Sequence, residues 1–151
     1  MDSKRSILKH NRKLFYKILC HYSLSQLNKV PEGFNNSIFW NVAHCIVVQQ
    51  RLMYMLSGNI IHIDQKWVKN YDKGTFPKKP ASQEDLEAIK ALLFSTIDLL
   101  DKDIENSIFD NFSSFTTSTN QTIDSFETAF TFTIFHDGIH LGSILALRKF
   151  V

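Results

Sequence analysis

The chain has 151 residues, of which 44% are hydrophobic and 21% are charged. That length suits one domain, and 13 Phe, 4 Tyr and 2 Trp carry more apolar mass than a disordered chain does. The 17 basic and 15 acidic residues give a formal charge of +2, too balanced to indicate a nucleic-acid-binding protein. With only 5 Gly and 3 Pro there are few turns, so the sequence predicts a single all-α domain over residues 1–151.

Four helices are predicted from apolar residues that recur every three or four positions. They span residues 3–28, 37–57, 82–106 and 123–150. Pro31 and Gly33 follow the first helix as breakers, and Ser82 with Asp85 forms a capping-box pattern at the start of the third. The segment Thr131–Phe135 alternates like a strand, but the four-residue apolar repeat continues through it, which favours helix.

The two long connections indicate how the helices are arranged. Residues 58–82 number about 25, and at ~3.3 Å each they can travel back along a helix of ~30 Å. Such a crossover places the second and third helices parallel, in an up-down-down-up four-helix bundle. Residues 111–122 are polar but contain Phe112 and Phe115, which predicts an ordered loop.

Basic residues crowd the predicted first helix. They are Lys4, Arg5, Lys9, Arg12, Lys13 and Lys17. The simpler interpretation is the solvated face of a helix, and a phosphate-binding strip is the alternative.

The two cysteines, Cys20 and Cys45, lie in apolar helical patterns without metal-ligand spacing. They predict buried reduced thiols in a reducing cytosol, with a reactive thiol at Cys45 as the alternative. The N-terminal residues are polar and show no secretory signal, and the apolar stretch of residues 37–48 is too short to span a bilayer. We therefore expect a cytoplasmic protein.

Three histidines form the constellation that carries chemistry. His136 and His140 have HxxxH spacing in the fourth predicted helix, so both imidazoles project from one face and can bind one ion. Their face also carries Ala129, Thr133, Ile144 and Leu147, and therefore points to the core. His44 lies in an equally apolar setting on the second helix. A metal shared by the three would satisfy all of them, whereas the alternative is a chance HxxxH and a lone core histidine.

Three neutral imidazoles leave a fourth position open on a tetrahedral ion. The uncompensated +2 charge would attract hydroxide or thiolate and lower its pKa. Either of the hydroxyls of Thr133 and Ser143 could orient an imidazole, and Trp40, Met55 and nearby Phe residues could line an apolar pocket. Gly138 and Gly142 each cost a helix about 1 kcal/mol, which indicates that a helix or a substrate approaches the backbone there.

Three segments resemble the DinB-like superfamily of four-helix bundles. They are residues 39–49 around His44, residues 71–77 (Tyr-Asp-Lys-Gly-Thr-Phe-Pro), and residues 135–147 around His136 and His140. The resemblance covers essentially the whole chain. It implies the up-down-down-up topology, frequent homodimers, and a divalent metal, often zinc or nickel, held by His44, His136 and His140.

The resemblance also implies a range of activities. Some members look like metal-dependent transferases that use a low-molecular-weight thiol, as in the bacillithiol and mycothiol enzymes, and many have no known activity. A metal-dependent hydrolase and a non-catalytic metal- or ligand-binding stress-response bundle are the alternatives. The expected partners are a small thiol and an electrophile, without membrane or direct nucleic-acid binding. This chain has Asp137 where the family often has Glu and Ser143 where it often has Gln, and neither difference removes one of the three histidines.

Overall fold

The computed structural model describes residues 1–76 and 79–151, and most of the chain is helical. The helices are α1 Asp2–His21, α2 Leu24–Asn28, α3 Ile38–Gln50, α4 Gln65–Tyr71, α5 Gln83–Glu105 and α6 Phe126–Leu147. Two short antiparallel strands, β1 Phe115–Thr116 and β2 Thr122–Ile123, lie between α5 and α6. The all-α class is confirmed. Pro77, which belongs to one of the family-like segments, lies outside the described residues.

The long helices α1, α3, α5 and α6 enclose a shared core. Helix α3 packs against α5 and α6, and α1 packs against the same two helices. Fully buried side chains such as Phe15, Phe39 and Ile89 fill the space between them. Each contributes roughly 1.5–3 kcal/mol through loss of contact with water. Helix α3 is apolar on nearly every side, and it is also buried on nearly every side.

The predicted first helix is divided in two. Tyr22 is extended, and Ser23 begins α2 with a capping box. The amide N–H of Ser23 donates to Oε1 of Gln26 at 3.0 Å, and the amide of Gln26 donates to Oγ of Ser23 at 3.3 Å. The single helix over residues 3–28 was therefore wrong, because this local cap satisfies the backbone of a new helix turn.

The predicted second helix ends where expected but changes its geometry. After α3, residues Arg51–Met55 form a π-helical turn, in which the amide of Leu56 donates to the carbonyl of Arg51 at 3.2 Å. Gly58, with φ of +74°, then stops the helix in a conformation that other residues rarely adopt.

Both long connections contain ordered structure. Within residues 58–82, Asp64 caps the short helix α4, which buries Trp67 and Tyr71 against α3. Within residues 111–122, β1 and β2 form a hairpin, which confirms an ordered loop. Helix α6 includes Thr131–Phe135, so helix rather than strand is confirmed there.

The basic residues of α1 differ in their exposure to solvent. Lys4 pairs with Glu127 at 2.8 Å and Lys9 pairs with Asp101 at 2.6 Å, as in a solvated helix face. Arg12 contradicts that interpretation, because it is fully buried. It lies four residues after Leu8 and three before Phe15, and therefore falls on the buried stripe of the helix.

Cys20 is exposed, which corrects the expectation of two buried thiols, whereas Cys45 is buried as predicted. Cys20 follows Leu19, the last residue of the buried stripe of α1, and so turns away from the core.

Helix α6 is long and apolar enough, by length and composition alone, to cross a membrane. Core helices of soluble proteins pass the same test. In this chain α6 packs against α1 and α3.

Candidate metal centre

The fold brings His44 of α3 together with His136 and His140 of α6. Each histidine offers a ring nitrogen, and these atoms lie within 4.8 Å of one another. The Nε2 atoms of His136 and His140 are 3.2 Å apart. Two nitrogens at 2.0–2.1 Å from a tetrahedral ion lie about 3.3 Å apart, so this pair fits a divalent metal.

Hydrogen bonds fix the tautomers of two of the rings. His44 donates from Nδ1 to the carbonyl of Tyr71 at 2.7 Å. Asn41 uses its Nδ2 to donate to the carbonyl of Ser37, so its Oδ1 is left to accept from Nδ1 of His140 at 2.7 Å. Neutral His44 and His140 rings therefore both keep a lone pair on Nε2, the atom that a metal needs.

His136 is the ring whose tautomer the surrounding protein leaves open. Its Nδ1 is buried and has no hydrogen-bond partner within residues 1–76 and 79–151. Nε2 of His136 faces the lone pair on Nε2 of His140. The contact between these two atoms is a hydrogen bond only when His136 carries its proton on Nε2. A cation shared by the Nε2 atoms would remove this conflict and leave the proton on Nδ1.

Burial keeps all three imidazoles neutral. Desolvation, assisted by His140, His44 and Arg12, lowers the pKa of His136 to about 3. Desolvation and then His44 lower the pKa of His140 to about 4, and desolvation also lowers the pKa of His44. Near pH 7 the three rings are therefore neutral, and metal binding does not require the loss of a proton.

The metal-free chain is expected to lose stability in acid. Because the pKa values of His136 and His140 are about 3 and about 4 in the fold and 6.5 ordinarily, the unfolded chain binds more protons between these limits. Stability is retained above pH 6.5 and falls below it, by up to about 1.4 kcal/mol per pH unit for each ring. Urea unfolding of chelator-treated protein at pH 7, 6 and 5 measures this slope. The double variant H136Q/H140Q should show a shallower slope, and equal stability of the wild type at pH 7 and 5 would contradict the expectation.

The predicted supporting residues divide into two groups. Trp40 lies parallel to His44, with ring centroids 4.4 Å apart, and its indole N–H donates to Oγ1 of Thr75 at 3.2 Å. The hydroxyls of Thr133 and Ser143 instead donate to carbonyls of their own helix, at 2.8 and 3.1 Å. Orientation of the imidazoles thus comes from Asn41 and the Tyr71 carbonyl, which the sequence analysis missed.

Asp137 belongs to a buried polar cluster beside the histidines rather than among them. Its Oδ2 lies 3.8 Å from Nη2 of Arg12, and both side chains are fully buried. Nη2 of Arg12 also donates to Oε1 of Gln49 at 3.4 Å. Cys45, His136 and Asp137 also approach one another within 4.8 Å, but the guanidinium of Arg12 disfavours a cation there.

The thiol of Cys45 is protonated in this cluster. Burial, followed by the nearby Asp137 carboxyl group, raises its pKa well above the ordinary value. A buried thiol with a raised pKa is a poor nucleophile, which argues against a reactive cysteine.

The structure contradicts one of the two alternatives predicted for the glycines of α6, the close approach of a neighbouring helix. A Cβ atom added at Gly138 or Gly142 would meet no atom within 4 Å in the described part of the chain. Both residues are exposed, so no neighbouring helix of this chain approaches them.

A cavity of about 440 Å³ adjoins His44 and His136. Its lining is mainly apolar and includes Met55, Phe132 and Phe135. The expected apolar pocket of Met and Phe side chains therefore lies next to the histidines, whereas Trp40 stacks behind His44.

A comparison with known protein families gives a match over most of the chain. The family model that matches the chain is that of the DinB superfamily, over residues 7–144. No curated protein matches the chain. The matched region contains the three clustered histidines. It covers α3 and α5 completely and most of α1 and α6. The chain belongs to the DinB superfamily.

Proposed function

We propose that the chain is a divalent-metal-dependent enzyme that transfers an electrophilic group to a low-molecular-weight thiol. The observation that carries this proposal is the position of the three-histidine cluster at the wall of the apolar cavity. A structural metal site is usually enclosed by four protein ligands, whereas three ligands beside a cavity leave room for a small molecule.

The residues have separate roles in this proposal. His44, His136 and His140 would hold zinc or nickel, while Asn41 and the Tyr71 carbonyl orient two of the rings. The ion would supply a positive charge that lowers the pKa of a bound thiol. Apolar walls at Leu52 and Phe132 would exclude water from the acceptor. The proposal retains the up-down-down-up course of the four long helices and a cytoplasmic location.

The same site supports a second enzymatic function, hydrolysis, in which water replaces the thiol. The cavity is open to solvent along exposed side chains such as Met55 and Phe135, which favours access of water. A non-catalytic metal-binding bundle is the third possibility.

A turnover assay separates these functions. Zinc-loaded and nickel-loaded protein is mixed with cysteine or glutathione and 1-chloro-2,4-dinitrobenzene. A sulfur–carbon bond forms, chloride leaves, and the thiol proton passes to solvent. We expect metal-dependent turnover that falls at least about 100-fold in His136→Ala, because a metal ligand is lost. His21→Ala, at an exposed histidine of α1, is the matched control.

The outcomes of this assay are distinct. Metal-dependent cleavage of a p-nitrophenyl ester without thiol-dependent turnover would favour the hydrolase. Metal binding with neither activity would favour the non-catalytic bundle.

We further propose that two copies of the chain form a dimer through the outward face of α6. Helix α6 exposes Phe135, Ile139 and Leu145, of which the first two also line the cavity, and its charged residues are Glu127 at its first turn and the buried Asp137. Light scattering should give twice the chain mass of 17.5 kDa. Leu145→Glu should give a monomer and Lys149→Glu should not, whereas a monomeric wild type would contradict the dimer.

A further inference from the structure

The cavity beside the histidines has a charged corner, formed by Arg51, Asp72 and Lys73, for which the proposed function gives no role. Arg51 donates from Nη1 to both carboxylate oxygens of Asp72, at 2.7 and 2.6 Å. In the described part of the chain, its Nε and Nη2 have no such acceptor, and Lys73 has no acidic partner. The corner therefore carries two positive charges and one negative charge. Nε and Nη2 of Arg51 and the Lys73 ammonium group can donate hydrogen bonds to a ligand.

This corner is connected to His44 through the chain. Asp72 and Lys73 directly follow Tyr71, whose carbonyl accepts the hydrogen bond from His44. Arg51, the first residue of the π-helical turn that follows α3, lies seven residues after His44, about two helical turns further along the chain. An anionic group in the corner would therefore share the cavity with His44 and His136. Because the side chain of Arg51 is 40% exposed, its attraction for an anion depends on salt.

The rest of the cavity lining is mainly apolar and partly exposed. Met55, Phe115 and Phe135 are 50%, 41% and 56% exposed, although large apolar side chains usually avoid water. Exposed apolar side chains gathered around one cavity are typical of ligand-binding sites. A volume of about 440 Å³ is within the range of small-molecule pockets.

The backbone provides a second, independent observation. The π-helical turn Arg51–Met55 contributes Arg51, Leu52 and Met55 to the lining, so one turn supplies both a charged and an apolar part of the cavity. π-helical turns are rare and occur frequently at functional sites.

We propose that this cavity binds an amphipathic carboxylate, with the carboxylate in the charged corner and an apolar chain or ring directed towards Met55 and Phe115. The inference rests on the proposed function, because the amphipathic carboxylate would be the electrophile to which the thiol is transferred. Electrostatic complementarity sets the orientation of the ligand, and apolar contact supplies most of its affinity.

Calorimetric titration of the zinc-loaded chain with 4-phenylbutanoate and 4-phenylbutan-1-ol tests the inference. The carboxylate should bind about ten times more tightly than the alcohol. Lys73→Gln should weaken binding of the carboxylate about 3–10-fold and leave the alcohol unchanged. Asp72→Asn should strengthen binding of the carboxylate, an opposite effect that a merely structural role does not produce. Lys69→Gln, at an exposed lysine of α4, is the matched control.

Repeating the titration after removal of metal distinguishes the charged corner from direct binding to the ion. The effects of Lys73→Gln and Asp72→Asn should persist in the metal-free chain. Wild-type affinity in both variants, with or without metal, would overturn the inference even if thiol turnover is found. The expected affinities without any thiol turnover would support the anion site and contradict the transferase function.

Discussion

Replacing His140 by Ala is expected to abolish tight binding of a divalent ion by this chain. Nε2 of His140 lies 3.2 Å from Nε2 of His136. Asn41 accepts a hydrogen bond from Nδ1 of His140 and so orients the His140 ring. Loss of a residue that only orients a ligand costs 10–100-fold in metal affinity, so loss of the ligand itself should cost at least about 100-fold. Metal analysis after dialysis should find about one zinc or nickel ion per wild-type chain and none in the variant.

Thermal unfolding gives an independent measurement of the same site. A ligand at 100 times its Kd stabilises the folded state by about 2.7 kcal/mol, so added metal should raise the Tm of the wild type but not of His140→Ala. Asn41→Ala should give an intermediate affinity, and His21→Ala should bind as the wild type does. One ion per chain in His140→Ala would show that the metal lies elsewhere.

The part of this site that follows from local geometry could be predicted from sequence. Residues four apart on a helix share a face, so HxxxH alone places His136 and His140 together. The helical assignment of Thr131–Phe135 follows from the same periodicity. His44 entered as a candidate through its apolar surroundings and the family resemblance, since its approach to α6 depends on tertiary packing.

The parts that the sequence analysis missed fall into two kinds. Some could have been predicted from sequence. Ser23 and Gln26 form a capping-box pattern, which predicts the start of α2, and Arg12 lies on the apolar stripe of α1, which predicts its burial. Others depend on distant packing, such as the Tyr71 carbonyl, which lies 27 residues from the His44 that it binds. The π-helical turn after α3 likewise has no simple sequence pattern.

Removing one partner of the buried Arg12–Asp137 pair is expected to destabilise the fold more than any exposed substitution. Both side chains are fully buried, and Nη2 and Oδ2 are 3.8 Å apart. Asp137→Leu would leave the guanidinium without its counter-charge, and arginine cannot shed its proton. We expect a loss of about 3–5 kcal/mol in the free energy of unfolding, measured in urea at pH 7.

Arg12→Met should cost less, because the remaining carboxyl group can take up a proton. Burial already raises the pKa of Asp137 against the opposing effect of Arg12, and the variant removes that opposition. A carboxyl group whose pKa is higher in the folded than in the unfolded chain takes up protons on folding. The loss of stability in Arg12→Met relative to the wild type should therefore be smallest in acid and should grow as the pH rises. The double variant R12M/D137L should recover most of the loss, because neither charge then remains buried. Lys4→Met at the exposed pair with Glu127 is the control and should change stability by under about 1 kcal/mol. Strictly additive losses in the double variant would show that the two side chains do not interact energetically.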